Sequence, residues 1–300
     1  MRADLFYSLS LNSSLDSLTA RQDSLTSQLS SGLAVSSPSD NPLAASEGVA
    51  LGSAISQDDA YVQSATTLEG RLQTSDSALG SAVTQITSAI SLASSGLNGT
   101  LNASDLSEIS AQLAAARDQI VSLANTTYAG TYLFSGTSGS TQPFTNDTST
   151  TPATATYAGD SNQQYAETPS GQKIAVSLPG SSIFSATGAD VLGSLNALVA
   201  DFASGTPSSS TAADLASLSA GLGNVTAQRA VLGASLSTVQ QTSSYASTDE
   251  TNLEAAQSSL VSANTATIAT QLSSTETQSQ ALMSVMSSIG SKSLFDYMQS

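Results

Sequence analysis

The chain has 300 residues, with 23 acidic and 7 basic side chains and a formal net charge of −16 at pH 7. This balance argues against nucleic acid or an anionic membrane surface as a partner, because both attract Lys and Arg. The absence of His and Cys excludes disulfides, thiolate chemistry and a His-based triad, so we predict neither an enzyme nor a cofactor or metal site.

The first predicted element is an amphipathic helix whose stripe steps by four and three residues. The apolar members of the stripe are Leu11, Leu15, Leu18, Leu25 and Leu29. Such a stripe faces a partner helix in a coiled coil. Gly32 is suited to end this helix, and Asn41 followed by Pro42 is typical of a cap and the first turn of the next one.

A long helix is predicted over residues 51–97. Its clearest stripe again alternates steps of four and three: Leu72, Asp76, Leu79, Val83, Ile86, Ile90, Ala93 and Leu97. A helix of this length would span roughly 70 Å, several times the length of an ordinary globular helix. We interpret the chain as a rod-like protein that functions in assembly.

A third helix follows a short connection and is therefore expected to be antiparallel to the second. Asp105, with Glu108 three residues later, resembles a capping pair at its start. The helix is predicted to end near Asn125, and one apolar stripe runs along it: Leu106, Ile109, Leu113, Ile120 and Leu123.

The pattern changes near Tyr128, and residues 131–184 are predicted to form a small β-rich insert. Ile174, Val176 and Leu178 alternate with polar residues as in a half-buried strand. The segment 169–171 (PSG) before them has the composition of a tight turn.

Helical periodicity returns after the insert. Two stripes separated by a break at 205–207 consist of Val191, Leu195, Leu198 and Phe202, and then Leu215, Leu218, Leu222, Val225, Arg229, Leu232 and Leu236. Arg229 lies on an otherwise apolar stripe. It is either a surface charge on an extended stem, or half of an ion pair across the bundle or to a neighbouring subunit.

A last seam contains Ile268, Leu272, Leu282, Met286 and Ile289, and the chain then carries an aromatic cluster of Leu294, Phe295 and Tyr297. Neither the first nor the last seam has a local partner, so the simplest burial pairs the two as a coiled coil. We expect both seams to contribute to subunit interfaces as well. The cluster either caps the coiled coil or, as we favour, contacts a partner.

These elements predict a mainly α protein, with a long antiparallel bundle and coiled coil formed by the N- and C-terminal regions and a small β-rich insert. The predicted division is 1–35 as an N-terminal arm, 36–130 as a helical region, 131–188 as the insert, 189–258 as returning helices and 259–300 as a C-terminal arm. Asp40 and Asn41 are interpreted as caps. Asp58, Asp59 and the acidic residues 249–254 are interpreted as solvated charges, because no glycine-containing calcium loop surrounds them.

Several segments resemble the flagellin superfamily, and in particular its hook–filament junction branch. They are 38–45 (PSDNPLAA), 98–101 (NGTL), 123–125 (LAN), 132–137 (YLFSGT), 143–144 (PF), 157–160 (YAGD), 229–234 (RAVLGA) and 293–297 (SLFDY). No single segment is specific, but their order along the chain is. The last one favours the junction branch over flagellin itself.

The resemblance implies an extracellular structural protein of the bacterial flagellum that is needed for filament assembly and motility. It would form a layer between hook-associated protein 1 and flagellin, with further copies of itself completing a ring. A cytoplasmic export chaperone would hold it before export by the flagellar type III apparatus. The alternatives are a flagellin, a secreted enzyme using a carboxylate pair, or an adhesin-like or toxin-like insert on an assembly scaffold.

Overall fold

The computed structural model describes residues 2–35, 38–99, 101–147, 149–150 and 152–298; for 2–8 and 289–298 it describes the backbone only. The helices of this part of the chain are α1 (Arg2–Ser31), α2 (Pro42–Gly96), α3 (Ala103–Ala124), α4 (Gly180–Phe184), α5 (Val191–Ala203), α6 (Thr211–Val261) and α7 (Thr265–Met298). The strands are β1 (Thr127–Tyr128), β2 (Thr131–Tyr132), β3 (Phe144–Asp147), β4 (Thr154–Tyr157), β5 (Tyr165–Glu167), β6 (Lys173–Ala175), β7 (Ser185–Ala186) and β8 (Ala189–Asp190). The predicted mainly α fold with a small β-rich insert is confirmed.

The chain divides into two compact units. The first unit contains Met1–Gln57 and Asp249–Ser300, and the second contains Asp58–Thr248. Helices α2 and α6 therefore contribute residues to both units. The five-part division expected from the sequence remains a prediction.

The core of the second unit is built on two series of residues spaced by seven. In α2 the most deeply buried positions include Ala65, Leu72, Leu79, Ile86 and Ala93, each at most 1% exposed. In α6 the matching series is Leu218, Val225, Leu232, Val239 and Ala246, each at most 2% exposed. A strict spacing of seven keeps one face of a helix against its partner over many turns. Alternate members of the predicted seams are therefore buried, whereas the members between them, such as Val83, Ile90 and Leu222, are half-buried.

Polar contacts show that α2 and α6 run antiparallel within this unit. The hydroxyl groups of Tyr61 and Thr242 form a hydrogen bond, and Arg229 pairs with Asp76 through two bonds of 2.7 and 3.0 Å. As the residue number rises on α2, its partner's number falls on α6. Of the interpretations of Arg229, the structure shows the ion pair across the bundle, which also raises the pKa of the Arg229 guanidinium.

Helix α3 begins one turn earlier than its predicted capping pair. Asn102 is the N-cap, and its side chain accepts hydrogen bonds from the backbone of Ser104 and Asp105 at 2.8 and 3.0 Å. The Asp105 carboxylate accepts the reciprocal bond from the Asn102 backbone at 3.2 Å. Asp105 is thus the third-residue member of a capping box rather than the cap itself.

A buried arginine joins α3 to α5 and the insert. Arg117 is 5% exposed, and its guanidinium donates to Asn196 on α5 at 3.0 Å and to the backbone carbonyl of Ala153 at 2.8 Å. The neighbouring Asp118 carboxylate supplies the compensating charge at 2.9 Å. These partners satisfy a group whose burial alone would be unfavourable.

The described residues of the insert and its two flanks form four antiparallel two-stranded hairpins, β1–β2, β3–β4, β5–β6 and β7–β8. The predicted turn at 169–171 joins β5 to β6, with Gly171 at a φ of +82°. Strand β6 ends at Ala175, so the observed strand is shorter than the alternation over 174–178 predicted. Ile174, Val176 and Leu178 are nevertheless all buried.

Three fully buried rings form the centre of the insert. Phe184 packs edge-on against Phe134 and Phe144, with ring centroids 5.9 and 5.8 Å apart. Gly180 is required beside them, because a Cβ at this position would approach the ring of Phe144 to 2.6 Å. Edge-to-face contacts of this kind add to the stabilisation from buried area.

Asp160 organises the loop between β4 and β5. Its carboxylate accepts hydrogen bonds from the backbone and the hydroxyl of Thr137, from the Ser138 hydroxyl and from the Asn162 backbone. These donors, with Thr137 the strongest, hold the pKa of the Asp160 carboxyl well below its usual range. The ionised carboxylate therefore connects two distant parts of the insert.

We expect the Asp76–Arg229 pair to make a modest, salt-sensitive contribution to stability. A double-mutant cycle with Asp76→Asn and Arg229→Met should give a coupling free energy of about 0.5 to 1 kcal/mol, because the pair is bidentate but partly exposed. Urea unfolding monitored by circular dichroism measures the coupling. A coupling of zero at low salt would show that the pair does not stabilise the bundle.

We expect acid to weaken the insert through Asp160. Because the pKa of Asp160 is lower in the folded state than in the unfolded state, its ionised carboxylate stabilises the folded protein at pH values above the unfolded-state pKa of about 3.9. This stabilisation is lost as the pH falls from there through the folded-state pKa. The Asp160→Asn variant should therefore melt below the wild type at neutral pH, and the difference should shrink below about pH 4. Thermal melting at several pH values measures this, with Asp59→Asn on the exposed surface as the control. A difference that is constant with pH would contradict the assignment.

Candidate assembly interface

The first unit contains the seams that the sequence assigned to subunit contacts. Helices α1 and α7 pack against each other, as expected from their unpartnered stripes. Leu33 and Ser262 form an antiparallel bridge just after α1 and just before α7. Since the end of α1 meets the start of α7, the two helices run antiparallel.

Main-chain hydrogen bonds fix the register of this pair. The Ala34 nitrogen donates to the Val261 carbonyl at 2.7 Å, and the Ala263 nitrogen donates to the Gly32 carbonyl at 2.9 Å. Gly32 has a φ of +71°, which favours glycine and ends α1 where the sequence predicted.

The seam residues are covered unequally in the single chain. Leu25 and Ile268 are buried at 5% and 6% exposure, and Thr275 and Ser279 are buried further along α7. The remaining seam positions with described side chains are half-buried, except Leu29, which is 38% exposed: Leu11, Leu15, Leu18, Leu272, Leu282 and Met286. The apolar stripe therefore keeps accessible surface along most of its length.

The same two helices carry further apolar side chains that face solvent. Leu9, Met283 and Val285 are 59%, 50% and 44% exposed. Exposed large apolar groups that lie near a half-covered seam mark a surface suited to association. The described part of α1 and α7 carries several such groups.

An apolar groove of about 240 Å³ lies where the start of α2 meets the end of α6 in the first unit. Its lining is mainly small and aliphatic: Val35, Pro38, Ala44, Ala45, Gly48, Val49, Gln257 and Val261. Gln257 donates to the Gly48 carbonyl at 3.0 Å, so this bond links the two helices at the groove. Leu43 and Val49, at 72% and 75% exposure, add apolar surface on this part of α2.

The predicted caps are at the start of α2. The Asn41 side chain accepts a hydrogen bond from the Ala44 backbone at 3.2 Å, and the helix begins at Pro42. The predicted division placed a boundary at 258/259, near the break between α6 and α7, but named no cap there. The side chain of Asn264 accepts a hydrogen bond from the backbone nitrogen of Thr267 at 3.1 Å. A bond to the nitrogen three residues later is typical of an N-cap, here just before α7 begins.

Four predicted interface side chains, Ile289, Leu294, Phe295 and Tyr297, lie outside the described side chains. Their backbone belongs to α7, which reaches Met298. Their role stays a prediction.

Two further findings on the described residues concern metal ions and membranes. Among them, no group of three or more carboxylate, imidazole or thiol side chains could hold a metal ion. No described helix has the length and apolar character that crossing a membrane requires. The exposed apolar side chains of α1 and α7 are suited to burial against another protein.

Two family descriptions match the chain. The "Bacterial flagellin N-terminal helical region" matches residues 4–139, and the "Bacterial flagellin C-terminal helical region" matches residues 215–298. Together they account for most of the chain and leave out most of the insert.

Two curated relatives carry the same name. The flagellar hook-associated protein 3 of Escherichia coli is 35% identical over 121 residues, which are 40% of this chain and 38% of that protein. The flagellar hook-associated protein 3 of Salmonella typhimurium is 32% identical over 165 residues, which are 53% of this chain and 49% of that protein. The matched segments thus span at most about half of these relatives.

The fold has solved counterparts. A Vibrio parahaemolyticus structure assigned as a flagellar hook-associated protein superposes with a TM-score of 0.63 at 22% identity, covering 74% of this chain and 100% of that one. At this identity the similarity concerns the fold alone. With both flagellin helical regions present and the expected helical architecture around the insert, the chain belongs to the flagellin superfamily.

Proposed function

We propose that this protein is a structural component of the bacterial flagellum that joins the hook to the filament and is needed for filament assembly and motility. The observation that carries the proposal is that both curated relatives are named flagellar hook-associated protein 3 rather than flagellin. It acts without catalysis or a cofactor. The alternative function is that of a flagellin, the filament subunit.

The α1–α7 surface supports a role in assembly. Half-buried leucines on both helices gain burial only if another chain covers them, and each fully buried leucine contributes about 1.5 to 3 kcal/mol. A ring of copies repeats such a contact many times, so modest individual contacts add up. The proposed contact residues are the leucines and isoleucines of the two seams and Met286, together with Leu294, Phe295 and Tyr297.

The proposed partners are further copies of the chain in a ring, hook-associated protein 1 on one side and flagellin on the other. Before assembly, a cytoplasmic flagellar export chaperone covers the C-terminal seam, which otherwise exposes apolar residues such as Met283. The protein works outside the cell at the hook–filament junction and leaves through the flagellar type III apparatus. Nucleic acid and membrane are not partners.

Deletion of the gene separates the two functions. We expect a strain without it to make intact hooks that lack filaments, while flagellin is shed unpolymerised into the medium. Electron microscopy of the cells and immunoblotting of the medium measure this, with a complemented strain as the control. Hooks with no flagellin made or shed would instead identify the protein as the filament subunit.

The seam can be tested with a matched pair of variants on α1. We expect Leu15→Asn to reduce the number of filaments per cell several-fold, because it removes about 1 kcal/mol of apolar burial from each contact. Ser13→Asn, at an exposed position two residues away, should have little effect.

The Leu15→Asn protein must also retain the wild-type thermal melting of its second unit, which contains neither residue. Equal filament numbers in the two variants would remove Leu15 from the interface.

A further inference from the structure

The connection between α2 and α3 contains a reactive dipeptide. Of the asparagines in the sequence, Asn98 is the only one followed by glycine. Both Asn98 and Gly99 are exposed, and Gly99 has a φ of +68° with open space on the side where a Cβ would stand. Because Gly99 has no side chain, its backbone nitrogen can approach the side chain of Asn98 without steric hindrance from its own residue.

We propose that Asn98 is a site of spontaneous deamidation, a covalent modification that places an aspartate or isoaspartate in this connection. The Gly99 backbone nitrogen attacks Cγ of Asn98, so that a C–N bond forms and closes a five-membered succinimide. The side-chain amide nitrogen leaves as ammonia and takes up the proton from the Gly99 nitrogen. Water then adds to either carbonyl and reopens the ring, so the net change is one water consumed and one ammonia released, without oxidation or reduction.

Hydrogen bonds restrain comparable asparagines elsewhere in the structure. The Asn102 side chain accepts two backbone hydrogen bonds at the start of α3, and the residue after it is Ala103. Asn125 both donates to and accepts from the Phe144 backbone, at 2.8 and 2.9 Å. Asn224 donates to the carbonyls of Ser182 and Ile183. Each of these amides is held in place and precedes a residue with a Cβ, which hinders the attack.

The modification would act on a connection that is anchored at both ends. Gly96 ends α2 against the ring of Phe202, where a Cβ would approach within 2.5 Å, and the capping box of Asn102 fixes the start of α3. Isoaspartate inserts an extra backbone atom between these anchors. The new carboxylate also lies just beyond the C-terminal end of α2, where the helix dipole disfavours negative charge.

One tryptic peptide contains both the site and its control. Cleavage after Arg71 and Arg117 releases residues 72–117, which include Asn98 and Asn102. The full-length protein is incubated in mildly alkaline buffer, which promotes loss of the backbone amide proton, and is sampled over time. Mass spectrometry with electron-transfer fragmentation then locates the modified residue and distinguishes aspartate from isoaspartate.

We expect Asn98 to convert at least about ten-fold faster than Asn102, with isoaspartate among the products. Asn98→Gln, which would need a larger ring, should abolish conversion at this position. Gly99→Ala should slow it, and because that substitution also strains the turn, Asn98→Gln keeps the test independent of the turn's folding. Equal rates at Asn98 and Asn102 in the folded wild-type protein would overturn the proposal.

Discussion

The spacing of seven between buried residues on α2 and α6 is the constraint on which the second unit depends. Five positions on each helix, from Ala65 to Ala93 and from Leu218 to Ala246, are almost fully buried. The series ends in alanine on both helices, and further alanines at 78, 82 and 89 line α2. These small side chains belong to the same core as the leucines and valines, which contains few aromatic residues. The serine-rich and alanine-rich composition is therefore compatible with a continuous core.

Polar groups within this frame determine which elements meet. Arg117 joins α3 to α5 and to the backbone before β4, and Ser110 donates from α3 to the Val199 carbonyl at 2.8 Å. The aromatic centre of the insert adds a compact core of its own around Phe184. Specific hydrogen bonds and a few large rings thus position the insert, while the repeated aliphatic spacing supports the helices.

The sequence predicted the elements with local signals. Steps of four and three located the long helices, Gly32 and Asn41 marked where one ends and the next begins, and the turn at 169–171 marked a hairpin.

Contacts between residues that are distant in the sequence could not be predicted from such local signals. No local pattern marks the role of Arg117, because its partners lie on α5 and beside β4, and Asn102 was overlooked as a cap because Asp105 offered a similar signal. The β1–β2 turn was missed as well, since Ala129 adopts a φ of +49° that sequence preference assigns to Asn or Gly. The sequence also predicted the pairing of α1 with α7 but not the groove, which requires the start of α2 and the end of α6 to meet.

The backbone bridge around Leu33 and Ser262 has a consequence for the fidelity of pairing between α1 and α7. A seam in which Leu11, Leu18 and Leu25 recur every seven residues is nearly self-similar, so sliding one helix by a heptad would replace leucine with leucine at little cost. Side chains alone would tolerate such slippage. The hydrogen bonds of Gly32 and Ala34 to the opposite backbone break that degeneracy, because they exist in one alignment only. Since the bridge uses main-chain atoms, the seam can vary in sequence while its alignment is preserved.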